Sequence, residues 1–298
     1  RVKHSARSGA VVQFGPRAKF GAVCVQTFAS RGYHECTVGV MKVGDLVATL
    51  ERIAPPELAE DWDNTGVLLC PTVPPEITRV LLTIDLTAAV LDEALEKPVE
   101  LILAYHPPIF SGLKRLTPDD PKSRLVLRCI ESRVVIYSPH TALDAAMDGV
   151  NDWLLDAFGP GERSFVRPES CQGRVATLAT PLSIEAAIER SKQHLGLNGL
   201  RLAVASRHAA GAPIERVAVC AGAGGSVLSF ASADLLLTGE MRHHDVLAWV
   251  ESGTSVLLTE HTNSERGYLP RLRSKLQAFY PDTSFYVSER DRDPLIYR

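Results

Sequence analysis

The sequence predicts an α/β protein of two similar halves. Each half carries a mainly parallel sheet, the halves are related by a pseudo-twofold, and a metal site lies between them. Three observations carry this expectation. Short apolar runs alternate with helical periods along the chain, the second half repeats the grammar of the first, and each half has a strand that ends in His-Thr with a carboxylate four residues after the His.

In the first half, Val43, Leu46, Val47, Leu50 and Ile53 have helical spacing, and Pro55-Pro56 stops the helix. The polar turn Asp61-Trp62-Asp63-Asn64-Thr65-Gly66 leads into a short strand at Val67–Leu69. Val80–Ile84 reads as a buried strand, Thr87–Glu96 as a helix with a Thr at its start, and Leu101–Ala104 as a strand ending at Tyr105-His106-Pro107-Pro108. A helix at Ser123–Glu131 precedes the strand Val134–Tyr137, which ends at Ser138-Pro139-His140. Uninterrupted apolar strands separated by helices imply a sheet covered on both faces.

Residues 157–180 hold Gly, Pro, Ser and Arg without a period and read as a linker between a half at 41–156 and a half at 181–298. The second half opens with a helix at Ile184–Leu195, then a strand at Arg216–Cys220 and the turn Ala221-Gly222-Ala223-Gly224-Gly225-Ser226. The strand Asp234–Leu237 ends at Thr238-Gly239-Glu240. A helix with His243, His244 and Trp249 follows, and the strand Ser255–Leu258 ends at Thr259-Glu260-His261. A helix ending at Lys275–Tyr280 and a last strand at Phe285–Val287 complete it.

The chemistry is expected where the two halves match. Pro139-His140-Thr141-Ala142-Leu143-Asp144 corresponds to Glu260-His261-Thr262-Asn263-Ser264-Glu265. Carboxyl ends of strands are where open α/β sheets bind ligands, and a His and an acid four apart on a first helical turn point the same way. A lone His at a strand end is ordinarily a structural hydrogen-bonder, and an acid near a helix start is ordinarily a cap. The duplication outweighs both bland readings. Imidazole and carboxylate together suit Zn, Mn, Fe or Ni, and carboxylates brought close together need cations between them. His106 and Glu240 stand at two further strand ends.

Other features exclude more than they assign. The 298 residues are 45% hydrophobic with a net charge of −3 and scattered Lys and Arg, so direct nucleic-acid binding is not expected. No apolar run is long enough for a membrane helix. The six cysteines have neither CxxC nor zinc-finger spacing, which points to free thiols in a reducing compartment. The Gly222-x-Gly224 turn lacks the third glycine of a dinucleotide fingerprint, where Val227 stands, and reads as a tight turn whose amides hold an anion. Of His243 and His244, about 100° apart on a helix, one faces the site or both lie on the surface. Residues 1–40 are basic, with Arg1, Lys3, Arg7, Arg17, Lys19 and Arg31 against Glu35 alone. They read either as a transit peptide or as a disordered extension before Met41.

Six motifs in order resemble the NIF-three-like family, whose members are also labelled GTP cyclohydrolase one type two homologues. They are Asp61–Gly66, Tyr105–Phe110, Ser138–Asp144, Thr238–Met241, His261–Gly267 and Asp291–Pro294. The resemblance covers residues 41 to 298, and the Tyr-His-Pro-Pro form is similar to the animal branch. It implies a dinuclear metal site between two α/β domains and a ring-like homohexamer built from dimers. It implies the ligands His106, Asp144, His261 and Glu265, with His140 a further ligand or neighbour. Bacterial members have two adjacent histidines where this chain has Tyr105-His106, so one metal loses a ligand, binds more weakly, or uses the Tyr105 hydroxyl or His140. The domain that many relatives insert near 157–180 is absent.

Two functions are expected ahead of a third, a metal-handling or metabolite-repair role. One is a metal-dependent hydrolase acting on a nucleotide or related small molecule, as the cyclohydrolase label suggests. It would carry two divalent ions, with Glu240 or a site histidine as general base or acid and the Gly222–Ser226 turn holding phosphate. The other is a non-catalytic partner of transcriptional regulators with a structural metal site. The expected location is cytoplasmic and nuclear, or mitochondrial if residues 1–40 are a transit peptide.

Overall fold

The computed structural model describes residues 41–295, and both readings of residues 1–40 lie outside the described residues. The described residues begin with β1 (Met41–Lys42), α1 (Val43–Ile53), β2 (Gly66–Leu69), β3 (Glu76–Ile77), β4 (Arg79–Thr83), α2 (Ala88–Glu96) and β5 (Leu101–Ala104). Next come α3 (Pro121–Glu131), β6 (Val135–Ser138), α4 (His140–Ala145) and α5 (Val150–Leu155). A hairpin of β7 (Gly161–Arg167) and β8 (Gln172–Leu182) precedes α6 (Ile184–Leu195), β9 (Arg201–Ala203), α7 (Ser206–Ala209) and β10 (Ile214–Cys220). The rest is α8 (Gly225–Leu228), β11 (Leu235–Thr238), α9 (His243–Glu251), β12 (Ser255–Leu258), α10 (Leu269–Phe279) and β13 (Ser284–Val287).

A five-stranded sheet runs β13-β4-β5-β6-β2 and is parallel except for β2. A six-stranded sheet runs β7-β8-β10-β11-β12-β9, with β10, β11 and β12 parallel and the outer strands antiparallel. The second sheet is therefore mixed. Each sheet keeps a parallel core of three consecutive strands, β4-β5-β6 and β10-β11-β12.

Strand alternation assigns side chains to layers. Val80, Leu82, Leu101, Leu103, Val135 and Tyr137 of one sheet share a core with Val217, Val219, Leu235, Leu237 and Leu257 of the other. Leu46 and Leu50 of α1, Leu154 of α5, Ala187 of α6 and Leu272 and Leu276 of α10 fill that core. Each large side chain buried there contributes about 1.5–3 kcal/mol. Leu81, Ile102 and Ile136 face the opposite way and pack on Val90, Leu91 and Cys129 of α2 and α3. Ala218, Leu236 and Val256 face outward against Leu228 of α8, with Val246 and Trp249 of α9 alongside.

Two sequence expectations differ from these sheets. Residues 157–180, expected as a linker, hold the β7–β8 hairpin that extends the second sheet through β8–β10 pairing. Its seven- and eleven-residue strands group buried and exposed residues in blocks, which hides the apolar alternation. The boundary expected at 181 also does not follow the sheets, because β13 returns to pair in parallel with β4 of the first sheet. No local signal names a partner 200 residues away. Among the described residues no helix is long and apolar enough to cross a membrane.

Candidate metal centre

The parallel strands of both sheets deliver their carboxyl ends to one place. Asp85 follows β4, Tyr105 and His106 follow β5, and His140 follows β6. From the second sheet Gly222 follows β10, Glu240 follows β11 and His261 follows β12. Two of these strand ends carry left-handed backbone at non-glycine residues, with φ of +30° at His140 and +67° at Glu260 just before His261. Such residues cost of order 1–3 kcal/mol each and persist where the surroundings impose them.

His106, His261 and Glu265 offer ligand atoms that all lie within 4.8 Å of one another. His106 Nε2 is 3.4 Å from Glu265 Oε2, and His261 Nε2 is 3.5 Å from Glu265 Oε1. The other nitrogen of each ring is taken from behind. Nδ1 of His106 meets Asp85 Oδ1 at 2.9 Å, and Nδ1 of His261 faces Glu240 Oε1 at 3.4 Å. Carboxylates behind imidazoles fix the tautomer and aim the free nitrogen at a metal.

Two observations fit a cation to this cluster. The Glu265 side chain is 3% exposed, and its buried Oε2 has no hydrogen-bond partner. A buried carboxylate oxygen without a donor is costly, and a cation satisfies it. Gly222, with φ of +61°, supplies the space, since a Cβ there would stand 2.7 Å from Glu265 Oε1 and 3.0 Å from His261 Nε2. Electrostatics agree. Burial works against protonation of His106, yet the Asp85 and Glu265 carboxylates outweigh it and push its pKa up to about 10. A field that favours a proton this strongly favours a metal cation in the same place.

Asp144 and His140 adjoin the cluster through other partners. The Tyr105 hydroxyl donates to Asp144 Oδ1, and His140 Nδ1 is bound to Asp63 Oδ1 at 2.7 Å. Burial, with a contribution from the Glu265 charge, raises Asp144 to about 7 against the opposing Tyr105 hydroxyl and His140. Burial and the charges of Asp144 and Glu265 hold the Tyr105 phenol far above its ordinary range, so it stays protonated and donates its hydrogen bond to Asp144. The His140 ring stands 5.4 Å from that of His106, which stands 5.2 Å from that of His261.

Two amides of the expected anion-binding turn already have partners. The Gly222 amide donates to Ser264 Oγ at 2.8 Å and the Gly224 amide to Thr238 Oγ1 at 3.0 Å, so these donors brace the turn. His243 and His244 are exposed and pack on each other at 5.4 Å.

Four contributors were not assigned from sequence. Asp63 and Asp85 orient the histidines. Both are held below the ordinary carboxylate range: burial opposes ionisation, and the adjacent His140 or His106 more than offsets it. Fully buried Asn151 joins the two halves of the site, donating to the Asp144 carbonyl and accepting from the Ala221 amide. Asp291 Oδ2 accepts from the Ile84 amide and the Arg266 guanidinium, both at 2.6 Å, and so ties the residues next to Asp85 and Glu265. The motifs around Asp63 and Asp291 were visible, but their partners lie 77 and 207 residues away.

The family model for Duf34/NIF3 (NGG1p interacting factor 3) matches residues 41–294. The chain belongs to the NIF3 family. It is 40% identical over 266 residues to NIF3-like protein 1 of Drosophila melanogaster, a match covering 87% of this chain and 90% of that protein. Identity to NGG1-interacting factor 3 of Saccharomyces cerevisiae is 36% over 276 residues, covering 84% of this chain and 95% of the relative. Identity to the Homo sapiens NIF3-like protein 1 is 33% over 347 residues, covering 86% and 92%. The animal-type resemblance thus holds. The fold is similar to a Staphylococcus aureus hypothetical protein, with a TM-score of 0.76 at 23% identity, covering 87% of this chain and 100% of the other. It is also similar to reduced HcgD from Methanocaldococcus jannaschii, with a TM-score of 0.73 at 23% identity, covering 84% and 98%.

Proposed function

We propose that this NIF3 family member is a metal-dependent hydrolase acting on a nucleotide or related small molecule, in a reaction of the GTP cyclohydrolase kind. The observation that carries the reading is the buried Glu265 Oε2, which makes no hydrogen bond and faces the Nε2 atom of His106 at 3.4 Å. His106, His261 and Glu265 would hold a divalent ion, and Asp144 with His140 would complete a second position beside them. Zn, Mn, Fe and Ni all suit this donor set. Bound divalent ions there supply Lewis acidity and ease the deprotonation of water near neutral pH.

The chain's own groups do the rest. Asp85 and Asp63 hold the tautomers of His106 and His140. Glu240 faces Nδ1 of His261 and also lines an open cavity of about 710 Å³ together with Ser226, Arg242 and Trp249. It is nearly half exposed, which supports the reading that it takes a proton from a ligand in that cavity.

The test incubates purified protein with Mn, Zn or Fe and a panel of nucleotides beside the Asp144→Ala/Glu265→Ala variant. Turnover that disappears in the variant supports the enzyme. Absence of turnover by the wild type across metals and nucleotides overturns it.

A second reading draws on the yeast relative, whose name describes a factor interacting with NGG1. On that reading the chain binds transcriptional regulators and its metal is structural. Partner capture that survives the same double substitution, without turnover, favours it. The homohexamer implied by family resemblance belongs with these proposals, and sedimentation velocity measures it.

A further inference from the structure

Trp62 and Phe110 are 59% and 46% exposed, and their rings lie 6.0 Å apart at a 49° tilt. The indole meets the edge of His140 at 6.0 Å, and His140 leads by ring contacts to His106 and then His261. Two large apolar rings therefore stand at one end of the row of imidazoles that forms the candidate metal centre.

The backbone carrying the indole is tied down on both sides. The Glu60 amide donates to Thr141 Oγ1 at 3.0 Å, and the Asp63 amide donates to the Glu60 carbonyl at 3.0 Å. The Asp63 carboxylate accepts from the Thr141 amide and hydroxyl and binds His140 Nδ1. Asn64 Nδ2 donates to the carbonyl of Ile109, fixing the residue before Phe110. Apart from the Asp63–Glu60 bond inside the turn, these ties run to α4 or to the loop after His106, so the exposed rings are anchored to the elements that carry the candidate ligands. Rigidly presented aromatic surface that packs against little of the fold is the signature of a ligand contact.

We infer that Trp62, with Phe110 beside it, is a stacking platform for a planar heteroaromatic ring whose attached anionic group is held at the His106–His261–Glu265 cluster. The ligand class is a purine-type mononucleotide. The flat π-face of an indole favours a ring over an alkyl chain. A polar centre of imidazoles, carboxylate and cation requires acceptor oxygens on the same ligand. The inference rests on the reading of the cluster as a metal centre for small molecules.

The experiment titrates the full, manganese-loaded chain with guanosine monophosphate and, separately, with ribose 5-phosphate, which lacks the ring. Calorimetry compares wild type, Trp62→Ala, Trp62→Phe and Glu265→Ala. Metal content and sedimentation are measured on each. Trp62→Ala should weaken the nucleotide by about 5- to 100-fold, the range base–aromatic stacking supplies. It should leave ribose 5-phosphate, metal content and sedimentation unchanged, and Trp62→Phe should recover most of the loss. Equal nucleotide affinity in wild type and Trp62→Ala overturns the platform. So does no binding by the wild type, or a change in sedimentation showing that a second copy covers the indole. If Trp62→Ala changes nothing but Glu265→Ala abolishes binding, the platform fails and the metal-centre reading stands. The reverse pattern keeps the platform and defeats the metal centre.

Discussion

Gly222 approaches Glu265 so closely that any side chain at position 222 would displace the carboxylate, with 2.7 Å between a built Cβ and Oε1. The two residues come from different strand ends of the second sheet. The glycine turn therefore shapes the ligand cluster and does so by lacking atoms.

Gly222→Ala should thus cost metal binding more than it costs the fold. The left-handed conformation alone costs the alanine about 1–2 kcal/mol. The clash falls on Glu265 Oε1 and His261 Nε2, the atoms that face a cation. Metal analysis after dialysis against limiting Mn or Zn should show occupancy falling while the far-ultraviolet circular dichroism is retained. Full occupancy would mean that the cation sits elsewhere.

Asp85 acts through His106. Its Oδ1 is 2.9 Å from His106 Nδ1, on the side away from Glu265. Asp85→Asn keeps the shape and removes the charge that aims the imidazole. Carboxylates behind metal-bound histidines are worth about 10–100-fold in affinity, and a competition titration with a chromogenic chelator should show a loss in that range.

Glu93 fixes the segment that leads to Asp291. Its buried carboxylate binds Lys97 Nζ at 2.6 Å, the Ser288 hydroxyl at 2.6 Å and the amides of Glu289 and Arg290. Burial opposes ionisation, but these donors outweigh it and pull Glu93 down to about 2 from an ordinary 4.5. A lowered carboxylate pKa stabilises the fold fully above the ordinary value, and that contribution disappears as pH falls from 4.5 through 2. Thermal denaturation should therefore show the wild type losing more stability than Glu93→Gln between those pH values. At neutral pH the substitution should cost about 1–3 kcal/mol, because donors lose a charged acceptor.

Arg174 is a buried cation that braces the site from below. It is 2% exposed, pairs with Asp152, and donates to the carbonyls of Ala145 and Ala146 just after Asp144. Arg174→Met leaves Asp152 uncompensated, and breaking a buried pair this way costs about 3–5 kcal/mol. Denaturant unfolding should show a loss of unfolding free energy of that size. Pairing the change with Asp152→Leu should recover part of the loss, since both charges then leave the interior.

Local sequence pattern specified most of the helices, though not α5 or α7, together with the parallel strands and the strand ends that carry His106, His140, Glu240 and His261. Those features follow from short-range periodicity and from the rule that parallel strands present their carboxyl ends to ligands. The i,i+4 spacing also anticipated the approach of Glu265 to His261, which is local geometry. The same spacing did not pair His140 with Asp144. Asp63 reaches His140 first, and Tyr105 takes Asp144. Those partners, the β7–β8 hairpin, the return of β13 beside β4 and the bridge that Asn151 makes from Asp144 to Ala221 came from tertiary contacts alone. Each depends on which distant groups share one buried volume, where unsatisfied donors and charges are most costly. No pattern within a few residues encodes that competition.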